Sequence, residues 1–111
     1  MEIPVRGDVV VLLFPFSDLS SSRKRPALVV ANLTGDDLIL AQITTASSRS
    51  DEYAVLLETK DFRSGKLLVS SIIRPNKLFT ADISIISSKI GTLKEKKIKD
   101  VQDSLVNIFR K

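Results

Sequence analysis

Apolar residues in this chain fall first in short runs separated by polar turns and then, near the end, at helical spacing. Val9, Val10, Val11, Leu12, Leu13 and Phe14 form a nearly continuous, largely β-branched run. That run predicts a strand covered on both faces or curling through a barrel, ended by Pro15. Ala27 to Ala31 predicts a second strand. The turn Thr34-Gly35-Asp36-Asp37 introduces a third from Leu38 to Thr45, and so short a connection favours antiparallel pairing. Tyr53 to Leu57 reads as a fourth strand and Lys66 to Ile73 as a fifth, after a turn at Ser64-Gly65. Leu78-Phe79-Thr80 resumes pairing beyond Pro75, which has no amide donor and is expected to break any ladder it enters.

The period then changes. Ile98, Val101, Leu105, Ile108 and Phe109 recur every three or four residues among Lys, Asp and Gln, which predicts an amphipathic helix. Thr92-Leu93-Lys94-Glu95 matches a capping box at its start. The order of elements predicts a mainly β fold, about five to seven short strands curled into a barrel with a C-terminal helix, as one domain over residues 1–111.

Composition narrows the chemistry more than it narrows the fold. The chain has no cysteine, so disulfides and thiolate metal sites are excluded, in keeping with a reducing cytoplasm. It has no histidine, which removes the usual proton carrier near neutral pH and excludes Ser-His-Asp triads, Cys-His pairs and two-histidine ribonuclease chemistry. The N-terminal residues do not read as a signal peptide, and no apolar run approaches the ~20 residues needed to cross a bilayer, so no membrane partner is expected. A formal charge of +4 favours an acidic or phosphate-bearing partner, although it also fits a merely soluble basic protein.

Arg23-Lys24-Arg25-Pro26 is the densest positive cluster. It reads either as a solvated turn that discourages edge pairing or as a phosphate site. Pro26 restricts Arg25 to extended backbone, so that its guanidinium, a rigid fork of donors, projects from a fixed point. Thr44 and Thr45, at the end of the third strand, are common strand residues that can also donate to a phosphate oxygen. Ser71 and Arg74 fit a solvated strand face as well as a groove. Asp36-Asp37, beside Gly35, reads as a turn rather than a magnesium site.

The succession Gly7-Asp8-Val9-Val10, Phe14-Pro15, Arg25-Pro26-Ala27-Leu28-Val29-Val30 and Gln42-Ile43-Thr44-Thr45 resembles the first half of MazF/PemK-like toxins of type II toxin-antitoxin systems. Gly65, Ser71, Ile72-Ile73-Arg74, Lys77-Leu78-Phe79-Thr80 and Ile90-Gly91-Thr92-Leu93 continue the likeness, which covers nearly the whole chain in order. The resemblance implies an SH3-like curled barrel, a homodimer and sequence-selective cleavage of single-stranded RNA. It also implies an antitoxin partner with an acidic extended segment. Arg25 matches the family's catalytic arginine and Thr44 its catalytic hydroxyl residue, with no metal or other cofactor. Thr45, Ser20, Ser21, Arg23, Ser71, Arg74 and Asn76 are the candidate substrate-binding residues. Several members have a carboxylate where this chain has Asn76, a glutamate near Ser20 and a glycine at Arg23, so the proton acceptor is open between Asp18, Glu52 and another group. Related toxins of this fold bind DNA gyrase instead, and a regulator that binds RNA or DNA without turnover is a third reading.

Overall fold

In the computed structural model, which describes residues 3–13, 24–46 and 52–111, the two apolar faces of the first strand explain the architecture. Strand β1 (Asp8–Leu13) lies between β2 (Lys24–Asn32) and β7 (Ile86–Leu93), both antiparallel to it. The remaining strands are β3 (Asp37–Thr45), β4 (Val55–Leu57), β5 (Phe62–Gly65) and β6 (Ser71–Asp82), and the helix α1 spans Glu95–Phe109. The sheet has seven strands in the order β4-β6-β3-β2-β1-β7-β5, and every pairing is antiparallel.

Alternation sends successive side chains of β1 and β2 to opposite faces. Val9, Leu28, Ile43 and Ile73 form a core with Leu57, Phe62, Leu93 and the helical residues Ile98 and Val101. Val10, Leu12, Ala27, Val29 and Leu40 form a second core with Phe79, Ala81 and Ile86 on the other face. The continuous apolar run thus has a physical cause: one face lies under the helix, and on the other the curled sheet closes on itself.

Chain connectivity requires the curl. Strands β5 and β6 are consecutive in the chain but five places apart in the sheet, which would separate them by about 24 Å if it were flat. The chain from Gly65 to Ser71 reaches at most about 21 Å when fully extended. This is a mainly β, curled half-barrel with one C-terminal helix, as the residue pattern predicts.

Several local expectations are corrected. Residues 66–70 are not strand, although Leu67, Leu68 and Val69 suggest one, because they carry the chain between distant strands. Ser64-Gly65 is not a turn but the end of β5, paired with β7. Gly65 has φ +76°, and a Cβ there would meet the backbone of Ile90, so this close approach requires glycine. Strand β7 escaped the sequence reading because Ser87, Ser88 and Lys89 are exposed and interrupt its apolar pattern. Strand β6 runs through Pro75. The ladder passes from Gln42↔Arg74 to Ala41↔Leu78, so residues 75–77 form a bulge that absorbs the missing donor.

The capping box does not form. Thr92 lies in β7, and its hydroxyl donates to Asp8 Oδ1 at 2.9 Å, while Glu95 accepts from Arg6 at 2.8 Å. Backbone hydrogen bonds from Leu93 to Gly7 and from Lys94 to Asp61 hold the chain extended past Thr92, so the helix N-cap is Lys94. Along the apolar stripe, Ile98 and Val101 are buried and Leu105 packs against their core, but Phe109 is 73% exposed.

Candidate functional site

The site begins where one ladder stops. Strands β2 and β3 pair from Asn32↔Leu38 down to Ala27↔Gln42, and the next residue of β2 is Pro26, which offers no amide hydrogen. Beyond that point β2 continues to pair with β1 (Leu12↔Arg25) and β3 with β6 (Thr44↔Ile72). The two strand ends diverge, and a cavity of about 570 Å³ opens between them.

Lys24, Arg25 and Pro26 line the cavity from β2 and Ile43, Thr44 and Thr45 from β3. A third wall is the segment Lys66 to Val69, with Ser71 and Ile90 completing the lining. Arg25 and Thr44 are both half-buried. The third wall is held at its base. Ala46 N–H donates to Ser70 O at 3.0 Å, and the Ser71 hydroxyl donates to Val69 O at 3.1 Å. Ser71 is therefore buried and spends its proton on the wall, while Leu68, 91% exposed, stands out from it.

The cavity thus brings together Arg25, Thr44, Thr45 and Ser71. Arg74, opposite Gln42, shares the sheet face of Thr44 but lies outside the lining. Asn76 is exposed in the β6 bulge, and Glu52 is exposed and also outside the lining. Ser20, Ser21, Arg23 and Asp18 lie outside the described residues. Sequence reasoning missed the cavity's third wall. The signal available was Lys66 followed by three apolar residues, a pattern that also fits a strand.

Among the described lining residues there are three cations, three hydroxyls and no carboxylate, an arrangement that favours an anion. A guanidinium supplies parallel donors to two oxygens of one phosphate, and hydroxyls supply further donors. No group of three or more potential metal-ligating side chains occurs among the described residues. No helix among them is long and apolar enough to cross a membrane.

A curled half-barrel with a cationic, hydroxyl-lined cavity at a strand split is the class of protein these features define. Residues 5–109 match the family model described as PemK-like, MazF-like toxin of type II toxin-antitoxin system, and the chain belongs to that family. Among solved structures it is similar to the MazE-MazF complex of Deinococcus radiodurans, with TM-score 0.77, 18% identity and 98% of each chain covered. It is also similar to an endoribonuclease in complex with its cognate antitoxin from a mycobacterial species, with TM-score 0.75 and 15% identity over 96% of this chain and 95% of that one. A third likeness is to the Mycobacterium tuberculosis toxin MazF-mt6, with TM-score 0.65 and 18% identity over 91% and 96% of the two chains. A comparison with curated protein sequences gave no match.

Proposed function

We propose that this protein is a toxin endoribonuclease that cleaves single-stranded RNA and is neutralised by an antitoxin. The observation that carries the reading is the strand split at Pro26, beside which Arg25 and Thr44 line one cavity.

The chemistry asks little of the enzyme beyond alignment and charge stabilisation. The RNA 2′-oxygen attacks the adjacent phosphorus and gives up its proton to a base. The bond from phosphorus to O5′ breaks, and O5′ takes up a proton. The products are a 2′,3′-cyclic phosphate and a 5′-hydroxyl. Arg25 neutralises the charge that builds on the phosphoryl oxygens as phosphorus becomes five-coordinate, and Thr44 donates a hydrogen bond to one of them. Thr45 and Lys24 hold the strand beside the reacting linkage, and Ser71 keeps the third wall in place. Arg74, outside the cavity on the face of Thr44, contacts a flanking phosphate, and Asn76 a flanking nucleotide.

Membership of this family also supports a homodimer and an antitoxin whose acidic, extended segment competes for the same cations. The direct test incubates the purified chain with a mixed-sequence single-stranded RNA and with DNA of the same sequence. RNA is cut at defined words, DNA stays intact, and Arg25→Ala cuts neither. Intact RNA with the parent protein overturns the proposal. Inhibition of gyrase supercoiling that survives loss of Arg25 transfers it to the gyrase-binding reading.

A further inference from the structure

The cavity is one of a series of concave regions that share walls. Leu67 and Val69 also line a hollow that reaches Lys60. Lys60 in turn lines the next hollow, with Lys94, Lys96 and Lys97. Lys94 lines a further one, with Arg63 and Lys89. The cavity and these three hollows therefore adjoin one another through shared residues, from Leu67 and Val69 past Lys60 to Lys94 beside the start of α1.

The charge along this path is lopsided for a specific reason: its carboxylates are engaged within the protein. Asp61 accepts from the amide of Glu58 at 2.8 Å and, like Asp100, faces Lys97. Glu95 accepts from Arg6 at 2.8 Å, and Asp8 is buried beneath Thr92 and Lys89. Glu58 lies 3.6 Å from Lys60 in an exposed pair, of a kind that contributes little and is readily exchanged. Arg63, Lys66, Lys94 and Lys96 are all exposed and have no carboxylate within salt-bridge distance among the described residues.

Lys60, Arg63 and Lys66 follow at three-residue intervals along β5 and its flanks, and Lys66 already stands in the cavity wall. Lys60 lies in a 3-10 turn, Thr59–Asp61, so at ~2.0 Å per residue to Phe62 and ~3.3 Å beyond it the stretch from Lys60 to Lys66 spreads positive charge over at most about 17 Å, still longer than one phosphate. A row of adjoining, solvated, cation-lined hollows beside the cavity fits the backbone of a single strand of nucleic acid.

We propose that Lys60, Arg63, Lys94 and Lys96 form an extended RNA-binding track that holds the substrate strand several nucleotides away from the cleaved linkage. The assignment rests on the RNA reading of the cavity. The track raises affinity for long strands without taking part in the reaction, and it reads no sequence, because its contacts are to phosphates.

The test measures binding of 2′-O-methyl single-stranded RNAs of 6, 12 and 24 nucleotides and mixed sequence, which cannot be cut. The full chain is compared with Arg63→Gln/Lys94→Gln/Lys96→Gln, with circular dichroism confirming that the variant is folded. The parent binds more tightly as length increases. The variant binds the 6-mer within about two-fold of the parent, loses about ten-fold at 24 nucleotides, and shows a salt dependence shallower by about two units of log K per log salt. Arg25→Ala keeps the gain with length. A variant that retains both the gain with length and the parent's salt slope overturns the track. Preferential loss of binding to an acidic polyglutamate peptide, with long-RNA binding intact, overturns the RNA assignment in favour of an acidic protein segment. Failure of the nuclease reading is separate, because it shows as uncut RNA with the parent protein.

Discussion

The N-terminal ends of strands β1 and β2 pose the same electrostatic problem and solve it differently. At one end, beside Gly7 and Asp8, a hydroxyl and an ammonium group converge on a carboxylate that the chain itself supplies. Asp8 is 2% exposed and accepts from Thr92 at 2.9 Å and from the Val5 amide at 2.9 Å, with Lys89 at 3.4 Å. At the other end, cations and hydroxyls again converge, but the described walls hold no Asp or Glu. The first arrangement is a closed structural lock. The second is suited to an anion from outside, and the difference arises because Pro26 ends the ladder there while paired strands continue around Asp8.

The largest contrast concerns Arg25 and Asp8. Arg25→Ala is expected to lower RNA cleavage by at least about 10²-fold while leaving the thermal unfolding midpoint nearly unchanged, as loss of a transition-state donor does. Asp8→Ala should do the reverse. Removing the buried carboxylate leaves the Thr92 hydroxyl and the Val5 amide without their acceptor and is expected to destabilise the fold by about 2 kcal/mol in denaturant titrations, with normal cleavage by the protein that remains folded. If both variants lose activity and stability together, the division between lock and site is wrong.

Thr44→Val should lower the cleavage rate by about 10-fold to 10²-fold, and Thr44→Ser should restore most of it, because the role assigned is hydrogen-bond donation. Equal loss in both variants would point to packing instead. Ser71→Ala is expected to cost about 1 kcal/mol of stability and to loosen the third wall, which hydrogen exchange at residues 66–70 would register.

The smallest effect concerns Asp82, far from either region. Its exposed carboxyl is held below the usual range by the hydrogen bond from the Ser84 amide. A carboxylate depressed in the folded state contributes stability above its unfolded pKa and loses that contribution as pH falls through the folded value. Asp82→Asn should therefore flatten the acid limb of the stability curve slightly and leave neutral pH behaviour unchanged.

The comparison also explains what was legible in the sequence. Strands β1 to β3 could be read because Val9 to Leu12 and Leu38 to Ile43 lie at the sheet's centre, where burial on both faces enforces apolar runs. Strand β7 is also paired on both sides, yet Ser87, Ser88 and Lys89 sit in the part of it that faces solvent, so its pattern was obscured. Thr92 and Glu95 had the spacing of a helix cap, but Asp8, more than eighty residues away in the chain, claims the threonine hydroxyl. Long-range pairing overrode a local motif. In the cavity, Arg25 and Thr44 were singled out by the whole-chain resemblance and not by their local motifs, whereas the wall at Lys66 to Val69 exists only because the chain must cross between β5 and β6. No local pattern records that requirement.

The central claim is that the cavity promotes attack by the substrate's own 2′-hydroxyl, and a single-atom change in the RNA tests it most directly. Once a cleaved linkage is mapped, a strand carrying one 2′-deoxynucleotide immediately 5′ of it should resist cleavage there and be cut normally elsewhere, each other cut leaving a 2′,3′-cyclic phosphate on its new 3′ end and a hydroxyl on its new 5′ end. Cleavage that persists at the deoxy position, or new ends bearing a 5′-phosphate, would contradict the account.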